Sequence, residues 1–254
     1  MNTLTLDIGN SSTKVDAWAD DGILGRKANG QVFPGEIYDL IESLDIRGII
    51  VSSVRKDSIE LIEELKYNCH FPVIEFTNEE IRRYYDLSHY YSSVGPDRIA
   101  AVLGAKVIYG DYPKMVVDLG TAMTLDVVDD NGIFRGGNIS LGLKGRLDAL
   151  AKAGSLLPEV ETANCRIGFG TDTHSAMGAG ALNGVIGEIL FSASQAKNEY
   201  DIKVTVMTGG DALKVYYFLD RHINTFYDPY LVGRGLDYHL RTHYLDAPVG
   251  GIQI

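Results

Sequence analysis

A chain of 254 residues with 45% apolar composition can bury a substantial core, and its length admits one large domain or two of about 125 residues. Lys and Arg number 23 against 34 Asp and Glu, and the net charge of −11 opposes binding to nucleic acid or to an anionic membrane surface. Asp7 interrupts the opening residues, no stretch approaches the ~20 apolar residues of a membrane span, and Cys69 and Cys165 lack metal-type spacing, so a soluble cytoplasmic protein with reduced thiols is expected.

In chain order, "TLDIGNSSTKVDA" reads as a strand that ends at Asp7, turns through Gly9, Asn10, Ser11 and Ser12, and continues as a second strand. Such a turn exposes several backbone N–H groups on one side and suits an anion. "RGIIVSSV" (47–54) and "FPVIEF" (71–76) read as buried strands, and "DSIELIEELK" (57–66) as a helix with Ile59, Ile62 and Leu65 on its buried stripe. Trp18 and the tyrosine-rich "RRYYDLSHYY" (82–91) line either a pocket or a partner surface. "SSVGPDRIAAVLGAKVI" (92–108) opens with a glycine-proline turn and places Asp97 and Arg98 at the start of a helix buried through Ile99, Val102, Leu103 and Val107. Asp97 there is either a charge that a helix N-terminus favours or, beside a phosphate, a base for a hydroxyl with Arg98 as anion holder.

Further along, "GGNISLGL" (136–143) supplies close-approach glycines after a strand, and "HSAMGAGALNGVIGEILFSASQA" (174–196) reads as a glycine-rich helix packed close to a neighbour. "IKVTVMTGG" (202–210) is a strand ending in a glycine turn that offers bare backbone to an adenosine, and "DALKVYYFL" (211–219) is helical. His174 and the other histidines are scattered and read as surface or satisfied groups. There is no Walker A lysine motif and no nucleophile elbow, and "GAGALNG" lacks the spacing of a dinucleotide fingerprint.

The chain repeats itself. "LDIGNSST" (6–13) matches "VDLGTAMT" (117–124), setting Asp7 against Asp118, Gly9 against Gly120 and Thr13 against Thr124; after one deleted residue "DDGIL" (20–24) matches "DNGIF" (130–134). Two α/β lobes are expected, 1–113 and 114–254, opposing their hairpins across a nucleotide cleft. Carboxylates repel phosphate unless a cation intervenes, so Asp7 and Asp118 are cation ligands or water-holding groups, or else simple turn formers.

Taken together, "DIGNSSTK" (7–14), "GPDR" (95–98), "DLGTA" (118–122) and "GGNISLG" (136–142), with "TGGDA" beyond them, resemble the type III pantothenate kinases over most of the chain. The resemblance implies two duplicated ribonuclease-H-like lobes of the acetate and sugar kinase, Hsp70 and actin type, a homodimer, and ATP-dependent phosphorylation of pantothenate at its terminal hydroxyl in coenzyme A synthesis. It implies that Asp7, Ile8, Gly9, Asn10, Ser11, Ser12, Thr13 and Lys14 wrap the ATP phosphates, with Asp7 near magnesium, directly or through water. Gly95, Pro96, Asp97 and Arg98 would contact pantothenate with Asp97 as general base, Asp118 would hold a monovalent cation (potassium or ammonium), Thr121 would contact ATP, and Thr173 would touch substrate near the dimer interface. The sequence departs from the family at Leu141, where proline is common, at Asp172, where asparagine is common, and upstream of Gly95, where only Tyr90 and Tyr91 stand near the family's tyrosine. The rival readings are a kinase of another small hydroxyl substrate and a nucleotide-binding accessory or regulatory protein that transfers no phosphate.

Overall fold

A computed structural model describes residues 1–30, 32–86, 94–154 and 156–245. They pack as two compact units, Met1–Gly110 joined by the described residues from Tyr230 onward, and Asp111–Pro229.

In the first unit β1 (Asn2–Ile8) pairs antiparallel with β2 (Thr13–Ala19), which carries β3 (Gly22–Asn29) at the sheet edge. After α1 (Pro34–Ser43), β4 (Ile46–Ser53) returns parallel to β1; after α2 (Ile59–Asn68), the short β5 (Val73–Glu75) extends the sheet in parallel. The helices α3 (Asn78–Tyr84) and α4 (Pro96–Tyr109) follow. Strand side chains alternate between faces, so Leu4, Leu6 and Ile8 of β1, with Val15 and Ala17 of β2, bury against Ile37, Ile62 and Leu65 of α1 and α2. Ile59, expected on that stripe, is 58% exposed. The chain enters α2 through a 3₁₀ turn (Lys56–Ser58), and Ser58, one turn before Ile62, takes the inward position with its hydroxyl donating to the Arg55 carbonyl.

The second unit comprises β6 (Lys114–Leu119), β7 (Ala122–Val128), β8 (Phe134–Leu141), α5 (Leu143–Ala153), α6 (Thr173–Tyr200), β9 (Val204–Thr208), α7 (Leu213–Leu219) and β10 (Thr225–Tyr227). Gly136 and Gly137 of "GGNISLG" lie within β8 rather than after a strand, and Gly142 follows it: Gly137 pairs with Asp126, and a Cβ there would stand 1.9 Å from the Leu125 carbonyl oxygen. Leu141 closes β8 in register with Ala122, a regular strand position. The glycine-rich helix is present and longer than expected. By length and composition α6 could cross a membrane, yet 56% of its apolar window is buried, including Leu182, Val185, Ile186 and Ile189, which makes it a core helix of this unit.

The strand orders, β3-β2-β1-β4-β5 and β10-β9-β6-β7-β8, are the same order read from opposite ends, with the same parallel and antiparallel pairings. The fold is duplicated, as the repeat suggested. Register corrects the repeat in one respect: Ile8 pairs with Thr13 across a four-residue turn, whereas Leu119 pairs with Met123 across a three-residue turn. The deletion thus lies inside the turn, and Thr13 is the counterpart of Met123, not of Thr124. The same shift aligns Asp16 with Asp126, two buried strand carboxylates that the ungapped match had separated.

The last element, α8 (Leu231–Leu240), followed by a π turn (Arg241–Leu245), belongs to the first unit, so the expected lobe 114–254 is corrected at its C-terminal end. It covers the sheet face opposite α1 and α2. A Cβ at Gly235 would stand 1.8 Å from the Ala100 carbonyl oxygen, and one at Gly104 would stand 2.0 Å from that of Leu231, so only glycine allows α4 and α8 to approach this closely. Under α8 lie Thr3, Thr5, Asp16 and Trp18, all buried. Trp18 is fully buried: its Nε1 donates to Thr5 Oγ1 (3.0 Å) and its ring meets Tyr230 edge-on.

Candidate functional site

The residues singled out from the sequence collect at strand ends and one helix start in each unit. In the first, the Gly9 N–H donates to the Ser12 carbonyl (3.0 Å), closing the turn, and Asn10, Ser11 and Ser12 are exposed. Asp7, at the end of β1, faces Lys14 across the antiparallel pair, with Nζ 3.2 Å from Oδ2, while Thr13 is buried beside Ile8. On the parallel side Asp7 is in register with Ser52, whose hydroxyl is buried and is the single such side-chain group without a partner among the described residues. Ser52 was not legible as a site residue in the sequence, because only the β1–β4 register brings it beside Asp7.

Pro96 supplies a fixed φ at the first position of α4, where its missing N–H costs nothing. Gly95 caps the helix, and a Cβ there would lie 2.5 Å from Asp97 Oδ1, so the absent side chain leaves room for the carboxyl to fold back. Oδ1 accepts the backbone N–H of Arg98 (3.0 Å). Burial, followed by the negative charge of Asp7, pushes the Asp97 carboxyl above its ordinary range, while the Arg98 N–H and guanidinium pull it back in part. A carboxylate so perturbed is a stronger base than one in water, and Arg98, itself buried, supplies a fixed positive charge next to it. Tyr90 and Tyr91 lie outside the described residues.

Flanking this arrangement, Asp16 accepts from Arg26 Nε (2.5 Å) and Nη2 (2.6 Å), and the Arg26 guanidinium rests 4.4 Å above the Tyr230 ring. No local pattern signals this pair, since Asp16 and Arg26 meet only through the bulged β2–β3 register.

In the second unit Asp118, the penultimate residue of β6, is in register with Thr124 on one side and Thr208 on the other. The Gly120–Ala122 turn is closed by the Gly120 N–H donating to the Ala122 carbonyl (3.0 Å), and it leaves Thr121 exposed. Two glycines press on it: a Cβ at Gly142 would stand 2.0 Å from the Gly120 carbonyl oxygen, and Gly209 holds φ at +101° with its Cβ position 2.4 Å from the Leu119 oxygen and 2.6 Å from Asp118 Oδ1. Gly210, next along, faces open space. Gly209→Ala would combine a positive-φ strain with a backbone clash, and it is expected to destabilise the chain by about 1–3 kcal/mol and to displace Asp118. An unchanged urea midpoint for that variant would contradict the close approach. Thr173 stands exposed at the first position of α6, whose N-terminus is capped by Asp172 Oδ1 accepting the Ser175 N–H (2.9 Å).

Among the described residues no group of three or more His, Cys, Asp or Glu could hold a metal ion. The donor set that exists is one hard carboxylate per strand end, which matches a cation that keeps several waters and shares phosphate oxygens, and does not match a closed protein cage.

A family model described as type III pantothenate kinase matches residues 3–194. A type III pantothenate kinase of Azobacteroides pseudotrichonymphae is 30% identical, covering 92% of this chain and 94% of that relative, and one of Phocaeicola vulgatus is 31% identical, covering 92% and 96%. Among solved structures, the ROK hexokinase of Thermus thermophilus superposes with a TM-score of 0.56 at 10% identity, covering 94% of this chain and 98% of that one. The activator of 2-hydroxyisocaproyl-CoA dehydratase from Clostridium difficile, solved with bound ADPNP, superposes with a TM-score of 0.53 at 15% identity, covering 95% and 97%. At these identities the two structures speak for the fold, the actin-like ATPase architecture of duplicated lobes.

Proposed function

Because this chain belongs to the type III pantothenate kinase family, we propose that it transfers the γ-phosphoryl group of ATP to the terminal hydroxyl of pantothenate, the first step of coenzyme A biosynthesis, with Asp97 as the general base. The observation that carries this assignment of the base is the half-buried carboxyl at the first turn of α4, raised by burial and by Asp7 and set beside the buried Arg98. Asp97 accepts the hydroxyl proton as the oxygen attacks, and Arg98, with Gly95 and Pro96, orients the anionic substrate.

The Asp7–Lys14 hairpin holds the phosphates, its exposed turn residues Asn10, Ser11 and Ser12 offering backbone donors and Lys14 a positive charge. Asp7 suits a magnesium ion, directly or through water, and such an ion would neutralise charge on the phosphates. Asp118 is assigned a monovalent cation, potassium or ammonium, and Thr121 a contact to ATP. Thr173 is assigned a contact to pantothenate near a homodimer interface. The exposed Leu156, Ile167, Phe169 and Phe191 of the second unit supply apolar surface for that interface. A cytoplasmic location fits substrates of this kind.

ADP release from ATP, measured with magnesium and potassium, should depend on added pantothenate and fall when sodium replaces potassium. Turnover of a different hydroxy acid in place of pantothenate would reject the substrate, and no turnover with any of them would favour a nucleotide-binding protein without transferase activity.

A further inference from the structure

Away from the phosphate-binding turns, α8 and the π turn after it meet α3 through a chain of titratable groups. His239 is completely buried, and its Nε2–H donates to Glu80 Oε1 (2.9 Å). That bond leaves Nδ1 as an acceptor for the Tyr85 hydroxyl (2.9 Å), which also lies 3.4 Å from His243 Nε2. Glu80, itself buried, further accepts from the Tyr244 hydroxyl and from Arg83 Nη1 (3.4 Å). The two imidazole rings are 4.7 Å apart; Tyr84 stacks on His243 at 3.9 Å, and Phe76 packs edge-on against His239 at 4.9 Å. Tyr238 adds its electrostatic influence on Tyr85.

A network of this size with a buried His239–Glu80 centre has one consistent arrangement of protons while both imidazoles are neutral: His239 donates to Glu80 and Tyr85 donates to His239. Protonating His239 turns Nδ1 into a donor, so the Tyr85 hydroxyl must accept there and pass its own hydrogen toward His243. Protonating both rings leaves that hydroxyl facing two donors and sets two positive charges side by side.

We propose that the Glu80–His239–Tyr85–His243 chain is a proton-sensitive latch that positions the substrate helix: it ties α8 to α3, and α8 in turn seats α4, whose first turn carries Asp97 and Arg98. The mechanical link is the glycine contact of α8 with α4, where Gly235 meets the Ala100 carbonyl and Gly104 meets that of Leu231, too close for either helix to move without the other. The functional half of the inference rests on the role given above to Asp97 and Arg98. Burial depresses the affinity of both His239 and His243 for a proton relative to a free imidazole. The latch is therefore closed above the ordinary imidazole range near 6.5 and loosens as pH falls below it, because the unfolded or opened form binds the protons more readily.

The test compares wild type, His239→Gln and Tyr85→Phe at about pH 7.5 and 5.5, which bracket imidazole titration. Glutamine keeps a donor for Glu80 and an acceptor for Tyr85 but does not titrate. In wild type, amide hydrogen exchange in α4 and α8, corrected for intrinsic rates, should accelerate at the lower pH, and KM for pantothenate should rise about ten-fold while KM for ATP holds within about two-fold. His239→Gln should flatten both responses; Tyr85→Phe should show fast exchange and a raised pantothenate KM already at the higher pH. Exchange in α4 that does not respond to pH in wild type, or a pantothenate KM profile that survives in His239→Gln, would overturn the latch. If pantothenate is not turned over at all, the assigned substrate fails, and the exchange measurements alone still decide whether the latch exists.

Discussion

Asp97→Asn is expected to lower kcat by on the order of 10²-fold or more, the usual scale for removing a general base, while KM for ATP changes little. The same substitution should make the protein more stable at neutral pH. The Asp97 carboxyl is raised in the folded chain, chiefly by burial and then by Asp7, so folding binds a proton more tightly than the unfolded chain does, and stability falls as pH rises from the ordinary carboxyl range through the folded value. Above that window the cost of holding the carboxylate is fully present, and the neutral amide does not incur it. Loss of turnover with a higher denaturation midpoint is the signature of a residue kept for chemistry against the preference of the fold. Trp18, the single tryptophan of the chain and buried under α8, reports unfolding of the first unit directly. Near-normal turnover in a folded Asp97→Asn protein would remove Asp97 from the mechanism and leave it as a helix-terminal charge.

Arg241→Ala should be the most damaging single change to stability away from the site, costing about 3–5 kcal/mol. Arg241 is fully buried, its Nε donates to both oxygens of Asp237 (2.9 and 2.8 Å), and Nη1 reaches Asp20 at 2.6 Å. The Thr3 hydroxyl also donates to Asp237. Burial already raises Asp237, and Arg241 is the principal group opposing that rise. Truncating the arginine strands a carboxylate beneath α8, whereas exchanging both partners, as in Asp237→Leu with Arg241→Met, removes the charge together with its partner and should recover most of the loss. Urea titrations followed by Trp18 fluorescence separate the two cases. Equal destabilisation in the single and double variants would mean that packing, and not charge compensation, is what Arg241 contributes.

The hairpins were readable in the sequence because their determinants are local. Alternation of Leu4, Leu6 and Ile8 with Thr3, Thr5 and Asp7 sets a strand, and Gly9 through Ser12 cannot extend it. The start of α4 was readable for the same reason, Gly95 and Pro96 being a local stop and start. The burial of the polar strand positions was not readable in this way: Thr3, Thr5 and Asp16 alternate with the apolar positions of β1 and β2, and α8 covers them with Asp237, Arg241 and a glycine surface. Nothing within the first 110 residues announces a cover that arrives after residue 230.

Local pattern, then, determined the duplicated α/β architecture, the two Asp-x-Gly turns and the placement of Asp97 and Arg98 at a helix start, because each depends on residues within one or two turns of one another. Tertiary structure alone decided that Ser52 stands beside Asp7, that Asp16 meets Arg26, that the deletion lies in the second turn, and that the C-terminal helix returns to the first unit to bury His239 against Glu80. Those are facts of strand register and long-range packing. One residue of register exchanges the two faces of a strand, and a helix more than a hundred residues away chooses which polar face it covers, so neither leaves a mark in the neighbouring sequence.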